Sequence, residues 1–144
     1  MRGELRLYNS RTRAKAPFVP LEPGHARVYS CGPTVYSPQH LGNMRPYLFA
    51  DLLVRALRAH GLRVTHVVNI TDVGHLTDDA DAGEDKMEVA AERTGRRAED
   101  IAAEYTEQWL RDRRRLGCAD PDVLCKATDH IPEQIQMIEQ LEAK

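Results

Sequence analysis

The 144-residue chain has no long apolar run, few cysteines and almost no net charge. No stretch approaches the roughly 18 consecutive apolar residues of a membrane span, and the N-terminus lacks the apolar segment of a secretory signal. Three cysteines at unpatterned spacings argue against a disulfide framework and agree with a reducing compartment. We therefore expect a cytoplasmic protein with no membrane contact. The net charge of -2 and pI near 6.3 give no global electrostatic footprint for nucleic acid, so any such contact must come from a local patch.

Composition and length fit one globular domain. Hydrophobic residues make up 42% and charged residues 29% of the chain, an ordinary balance for a protein with a packed core. The length is sufficient for one core and short for two. No internal repeat or low-complexity tract divides the sequence.

The first 70 residues predict a hairpin followed by a strand, a helix and a second strand. Alternating apolar positions in LRLYNSRTRAKAPF favour the hairpin. The β-prone run ARVYSC ends at a Gly-Pro turn. Apolar residues then recur at three- and four-residue spacing from Asn43 until Gly61, which is typical of an amphipathic helix. In the next strand, RVTHVVNI, the adjacent Val67 and Val68 predict burial on both faces, as in a parallel sheet.

This strand–helix–strand order predicts a right-handed crossover, in which ligands bind beyond the carboxyl ends of the strands. The acidic stretch TDVGHLTDDADAGEDKM is expected to form a loop. Helical spacing returns twice, over 101–109 and 131–141, and LGCADPDVLCKATD is expected to connect the two helices. The last pattern meets no stop signal before Lys144, which predicts a chain cut within a longer fold.

The segment CGPTVYSPQHLGN, residues 31–43, joins the first strand to the helix and has the features of an anion site. Backbone N–H groups at a helix start are unpaired, and the helix dipole adds partial positive charge there. His40 and Asn43 should project from the first helical turn toward one volume, and Gly42 should allow a nucleotide to approach the backbone. A histidine that merely caps the helix is the alternative interpretation.

The tetrapeptide HLGN in this context is similar to the HIGH signature of class I aminoacyl-tRNA synthetases and related nucleotidyltransferases. CGPTVYSPQHLGN and NITDVGHLTDDADAGEDKM together resemble the cysteinyl-tRNA synthetases, and the likeness extends from LRLYNS to DPDVLCKATDHI. The chain departs from that family where Asn43 replaces the last His of the signature and where VGHLTDDAD replaces the usual acidic cluster.

The resemblance implies an α/β fold with the Rossmann-like (HUP-type) parallel sheet of class I synthetases, incomplete at the C-terminus, with helices after the first crossover. Residues 1–144 would be the N-terminal portion of the catalytic nucleotide-binding domain. The remaining catalytic half and the anticodon-binding domain would be absent.

The resemblance also implies a two-step reaction. The carboxylate of cysteine attacks the α-phosphate of ATP, which is used with Mg²⁺, to give cysteinyl-adenylate and pyrophosphate. The cysteinyl group then passes to the 3′ end of tRNA(Cys). By the same resemblance, His40 and Asn43 are the catalytic, phosphate-facing donors, and Gly42 and Thr34 are further ATP contacts.

The substrate amino group is assigned by the resemblance to the backbone of Gly32 and the hydroxyl of Thr71. Thr34 and Asp72 indicate ligand binding less specifically than these residues do. A threonine at a strand end, for example, is often a turn former. His66 lies within a strand and is expected to be structural. His75 lies in the acidic loop, where a ligand contact and plain solvent exposure stay open.

Cys31 matches the family's zinc-ligand cysteine. Zinc binds thiolate sulfur far better than hydroxyl oxygen, so ligation of the substrate sulfur would select cysteine over serine. The family's other ligands come from further along its sequence, so this chain alone is expected to bind Zn²⁺ weakly or not at all. Without the resemblance, Cys31 would be read as a small buried apolar residue. Cys118 and Cys125 match no zinc position, and packing is their expected role.

The only dense basic cluster is RDRRRL, from Arg111 to Leu116. On a helix its arginines spread around much of the circumference, so a solvated face with Glu104 and Glu107 as partners is the default expectation. A contact with the tRNA backbone is the alternative.

Two other functions stay open. The enzyme that joins cysteine to an amino-sugar inositol shares the zinc cysteine and the HIGH-type turn, although DPDVLCKATDHI favours the synthetases. A non-catalytic remnant or binding module is the third possibility, because the chain lacks the lysine-containing KMSKS loop of class I enzymes. Lys86, in EDKMEVA, lies before the second half of that fold.

Overall fold

The computed structural model describes residues 4–73 and 85–144 and contains two separate sheets. The N-terminal hairpin pairs β1 (Arg6–Asn9) with the antiparallel strand β2 (Ala14–Pro17), as the sequence predicts. The second sheet has three parallel strands in chain order, namely β3 (His25–Ser30), β4 (Arg63–Ile70) and β5 (Val123–Lys126). The predicted α/β, Rossmann-like architecture is confirmed.

Four α-helices accompany the sheet in the described ranges. Helix α1 (Leu41–Ala59) connects β3 to β4, and α2 (Lys86–Thr94) and α3 (Ala98–Arg115) lie between β4 and β5. After β5, a 3-10 turn (Thr128–His130) leads into α4 (Ile131–Glu142), whose apolar positions remain exposed. Within the described ranges, none of these helices combines the length and apolar character that crossing a bilayer requires.

Two of these elements differ from the sequence prediction. Helix α2 begins inside the stretch that was expected to be a loop and ends at Gly95, whose left-handed φ of 63° separates it from α3. Strand β5 lies in the segment that was expected only to connect two helices. Its residues pair with Val67 to Ile70 of β4, so the four-residue run VLCK is fixed by a partner that is distant in sequence.

One face of the parallel sheet is covered and the other is open within the described residues. Val64, His66, Val68 and Ile70 alternate along β4 and are buried, whereas the residues between them are only half-buried. The prediction of burial on both faces is therefore wrong for this part of the chain. On the open face, Tyr29 is 68% exposed.

The main core lies between the covered face and the three helices α1, α2 and α3. Its buried apolar residues are Val35, Met44, Tyr47, Val68, Ile70, Met87, Ile101, Ala102 and Trp109. The rings of Tyr47 and Trp109 meet edge to face, with centroids 5.3 Å apart. This burial raises the pKa of Tyr47 to about 12. A second cluster, Ala26, Val54, Leu57 and Val64, packs the other end of α1 against β3 and β4.

A buried carboxylate joins α1 to the chain after α3. Asp51 accepts hydrogen bonds from Nε of Arg55 at 2.6 Å and from the backbone N–H of Ala119 at 2.9 Å. Arg55 also donates to the carbonyl of Gly117 at 2.7 Å. Both oxygens of Asp51 are therefore satisfied although the side chain is only 8% exposed.

The basic cluster on α3 is not uniformly solvated, which corrects the expectation for Arg111 to Arg115. Arg113 is 2% exposed, and its guanidinium lies 4.7 Å from the ring centre of Trp109. Arg111 pairs with Glu107 as expected, but Glu104 pairs with Arg96 instead. The cluster thus serves the core and the local surface together.

Candidate active site

A polar cleft of about 270 Å³ lies at the carboxyl end of β3, beside the first turn of α1. Four predicted site residues line it, namely Gly32, Thr34, His40 and Asn43. Tyr36, Ser37, Pro38, Gln39, Tyr47 and Lys86 complete the lining. The cleft therefore lies where ligands of open parallel sheets bind, beyond the carboxyl ends of the strands.

The loop from β3 to α1 is fixed to the end of β4 by backbone hydrogen bonds. Val35 N–H donates to the carbonyl of Thr71 at 3.2 Å, and Thr71 N–H donates to the carbonyl of Pro33 at 3.0 Å. These bonds extend the parallel pairing as a bridge between Thr34 and Thr71. Val35 is fully buried and anchors the loop in the core. Thr34 is thereby held at the cleft, with Thr71 as its backbone neighbour.

Gly32 is required by the close approach of β4. A Cβ at this position would lie 1.8 Å from the carbonyl oxygen of Asn69 and 2.9 Å from Cγ1 of Val68. The N–H of Gly32 donates to Oδ1 of Asn69 at 3.1 Å, so this donor is already engaged by the protein. Packing alone thus explains the glycine, and any contact with a substrate falls to its carbonyl oxygen.

His40 and Asn43 form a reciprocal cap at the start of α1. The N–H of Asn43 donates to Nδ1 of His40 at 3.3 Å, and the N–H of His40 donates to Oδ1 of Asn43 at 3.2 Å. His40 is the N-cap residue, so it precedes the first helical turn in which it was predicted to lie. The capping interpretation of His40 is therefore correct as far as Nδ1 is concerned.

The cap also determines which atoms remain available to a ligand. Since Nδ1 of His40 accepts, the neutral imidazole carries its proton on Nε2 and presents it as a donor. Asn43 uses Oδ1 in the cap, and its Nδ2 has no partner among the described residues. The capping bonds thus leave Nε2 of His40 and Nδ2 of Asn43 outside the cap.

Gly42 gives room to the His40 ring. A Cβ at position 42 would lie 3.0 Å from Cε1 and 3.1 Å from Nδ1 of His40, which is tighter than ordinary van der Waals contact. The glycine was predicted to make room for a nucleotide, and the structure shows its nearest neighbour to be the imidazole. A Cβ at this position would therefore require the imidazole to shift by a few tenths of an ångström.

The electrostatics of the cleft favour an anion. Among the described residues that line it, none carries a carboxylate, and the first turn of α1 has no acidic residue. Lys86 supplies a positive charge, and the N-terminus of α1 adds the partial positive charge of its dipole. Together these features favour an anion in the cleft.

Sequence reasoning assigned no role in this cleft to six of its lining residues, among them Tyr36, Gln39 and Lys86. Nε2 of Gln39 donates to the carbonyls of Thr34 and Ser37 at 3.3 and 3.4 Å and so shapes the loop. Lys86 is far away in sequence, and only its place at the start of an unrecognised helix brings it here. Recognition of Asp85 as a helix cap would have indicated that helix.

Cys31 precedes Gly32 and is exposed at the end of β3, and it is not among the residues that line the cleft. Its Sγ lies 3.4 Å from the carbonyl oxygen of Gly32. Within residues 4–73 and 85–144, no three His, Cys, Asp or Glu side chains are grouped so as to hold a metal ion. Zinc needs four ligands, or three and a substrate. The described residues therefore do not form a zinc site by themselves.

The other polar residues near the strand ends have structural partners. The hydroxyl of Thr71 accepts a hydrogen bond from Nδ2 of Asn69 at 3.2 Å. Asp72 accepts from the hydroxyl and the backbone N–H of Thr128 at 2.6 and 3.1 Å, which joins the end of β4 to the turn before α4. Asp72 is thus occupied by a structural contact.

His66 is structural, as predicted. It is 4% exposed, and its Nε2 lies 2.8 Å from Oγ of Ser30. Burial and the nearby Arg113 lower the pKa of its imidazole. Cys118 is buried and Cys125 is half-buried, in agreement with packing roles. His75 lies outside the described residues.

Comparison with known proteins identifies the family. Residues 17–144 match the family model described as the tRNA synthetases class I (C) catalytic domain. The chain belongs to this family. It is 54% identical to cysteine–tRNA ligase 1 of Burkholderia lata over 138 residues, which cover 96% of this chain and 29% of that protein.

Other relatives give the same result. The cysteine–tRNA ligase of Treponema denticola is 51% identical over 139 residues, which cover 96% of this chain and 28% of the relative. That of Novosphingobium aromaticivorans is 54% identical over 140 residues, 97% of this chain and 28% of the relative. The chain thus spans less than a third of the length of these curated synthetases.

Proposed function

We propose that the protein activates cysteine with ATP and transfers the cysteinyl group to tRNA(Cys), and that this chain supplies the phosphate-binding half of the activation site. The proposal rests on the cleft at α1, where the reciprocal cap uses Nδ1 of His40 and Oδ1 of Asn43 and leaves the donors Nε2 and Nδ2 outside the cap. Family membership supports the reaction class, and the cytoplasm is the proposed place of action.

In the first step, a carboxylate oxygen of cysteine attacks the α-phosphorus of ATP, and the bond to the pyrophosphate oxygen breaks. Negative charge grows on the oxygens around phosphorus in the transition state. Nε2–H of His40 and Nδ2–H of Asn43 are the proposed donors to these oxygens. No proton transfer by a side chain is needed, because the nucleophile is already a carboxylate.

The remaining predicted residues act by positioning. Thr34 lines the cleft beside the proposed phosphate site, and the carbonyl of Gly32 and the hydroxyl of Thr71 are the proposed contacts of the substrate amino group. Gly42 keeps the His40 ring in place. Mg²⁺ would accompany ATP. Cys31 stays a proposed single ligand of Zn²⁺, and no step of the reaction is assigned to that metal.

The test is cysteine-dependent exchange of labelled pyrophosphate into ATP by the full-length protein, with serine as the matched control. We expect exchange with cysteine and little with serine. Transfer is then measured with tRNA(Cys) and, separately, with an amino-sugar inositol as acceptor. No exchange in the presence of cysteine would contradict the proposed function. Transfer to the sugar alone would show the acceptor to be wrong while the activation step stands.

A further inference from the structure

Lys86 is the one lysine among the residues that line the cleft, and it comes from a different part of the chain than the other lining residues. It is the first residue of α2, whereas the residues from Gly32 to Tyr47 belong to the β3–α1 segment. We propose that Lys86 binds the phosphate chain of ATP in this cleft, with Tyr36 as the residue that positions it. The inference rests on the proposed function and adds a binding residue that the sequence pattern did not assign.

The position of Lys86 is unfavourable for helix stability. A cation in the first turn of a helix lies near the positive end of the dipole, where carboxylates are preferred. The expected acids are present at the start of α2, where the N-cap Asp85 accepts from the N–H groups of Met87 and Glu88 at 2.6 and 3.4 Å and the first turn contains Glu88. Lys86 departs from this local pattern, and such departures are expected where function requires them.

Tyr36 holds the ammonium group without neutralising it. Nζ of Lys86 lies 5.7 Å from the ring centre of Tyr36, within the range of a cation–π contact. Lys86 makes no ion pair within the described part of the chain. An aromatic partner attracts the cation but leaves its full charge for a ligand, whereas a carboxylate partner would cancel that charge. The pair is therefore suited to bind an incoming anion.

The surroundings select phosphate over other ligands. The cleft brings Lys86 together with His40 and Asn43, the two donors already proposed for the α-phosphate. Since none of the described lining residues is acidic, none of them competes with a ligand for the ammonium group. A chain of two or three phosphates offers several anionic oxygens, and one cation from a second element can bind those that the donors of α1 do not reach.

The experiment compares Lys86→Met with Lys86→Arg in the full-length protein, with Lys15→Met as the control. Lys15 is exposed on β2, so its substitution removes the same charge outside the cleft. Equilibrium binding of ATP and of adenosine is measured by calorimetry. We expect Lys86→Met to weaken ATP binding by about 10- to 100-fold, because a hydrogen bond to a charged group is lost. Adenosine binding should not change, and Lys86→Arg should retain most of the ATP affinity.

Tyr36 is tested through the same ratio of ATP to adenosine affinity. Tyr36→Phe keeps the aromatic face and should bind ATP as the wild type does. Tyr36→Leu should weaken ATP binding by about two- to fivefold, as expected for a cation–π contact at a partly exposed site.

Each outcome decides between the alternatives. Equal losses of ATP and adenosine affinity in Lys86→Met would show a structural role and overturn the phosphate assignment. If the wild type exchanges pyrophosphate and Lys86→Met binds ATP as tightly as the wild type does, this inference is overturned and the proposed function stands. A wild type that neither binds ATP nor exchanges pyrophosphate would overturn both.

Discussion

The substitution His40→Asn separates the two roles of His40, because capping uses Nδ1 and the proposed catalysis uses Nε2–H. Asparagine is among the best N-cap residues, so this variant should keep the hydrogen bond to the N–H of Asn43. Its shorter side chain cannot also present a donor where Nε2 lies. His40→Ala removes both functions at once.

The two variants should therefore differ in stability and agree in activity. Loss of the cap in His40→Ala is expected to lower the free energy of unfolding by about 1 kcal/mol, whereas His40→Asn should stay within about 0.3 kcal/mol of the wild type. Loss of one donor to the phosphate in the transition state costs about 2 to 4 kcal/mol, which slows adenylate formation by about 30- to 1,000-fold in both variants.

Urea unfolding measures the first quantity, and cysteine-dependent ATP–pyrophosphate exchange measures the second. If His40→Asn exchanges pyrophosphate at the wild-type rate, the catalytic assignment is refuted and His40 is a helix cap only. Equal destabilisation of both variants would refute the capping argument instead.

Three further predictions concern stability. Gly32→Ala places a Cβ 1.8 Å from a carbonyl oxygen of β4 and should lower the free energy of unfolding by about 3 kcal/mol; a wild-type urea midpoint would contradict this close approach. Asp51→Ala leaves a buried N–H without its acceptor and should cost about 2 kcal/mol, and Arg55→Ala should cost about as much, because it leaves a buried carboxylate oxygen of Asp51 without its donor; a loss of only about 0.5 kcal/mol in the arginine variant would contradict this argument. Folding lowers the pKa of His66 below its ordinary value of 6.5, so the contribution of this group to the free energy of unfolding is fully present above pH 6.5. The contribution is lost as the pH falls below that value, because the unfolded chain then binds the proton first. His66→Gln should remove that part of the pH dependence of the urea midpoint, and an unchanged slope between pH 7.5 and 5.5 would show that another group is responsible.

The sequence was informative where the structure is local. The hairpin, β3, α1 and β4 follow from short-range periodicity and turn residues, and the site segment at residues 31–43 follows from a motif contained within thirteen positions. What escaped prediction depends on partners that are distant in sequence. Strand β5 is only four residues long and exists through its pairing with β4. One face of the sheet is open because, within the described residues, the helices of the core pack on the other face. The apolar pair Val67 and Val68 could not indicate which face would be covered.

The same limit applies to the site. The residue types of His40 and Asn43 indicated hydrogen bonding to a phosphate, but only coordinates show that each side chain first binds the other's backbone. Lys86 stands in a stretch that looked like an acidic loop, and its contribution to the cleft depends on how α2 is placed. Local chemistry could thus be inferred from the sequence, whereas the convergence of separate segments could not.

One face of the parallel sheet is covered and the other is open, so the three cysteines differ in exposure and can report which surface a partner binds. Cys31 is exposed, Cys125 is half-buried and pairs in register with Asn69 of β4, and Cys118, just after α3, is buried. Three thiols of graded accessibility should therefore react with a maleimide at well separated rates. A partner or ligand that binds the open face of the sheet would slow the reaction of Cys31 and Cys125 with the maleimide. The reaction rate of Cys118 would not change and would serve as an internal reference.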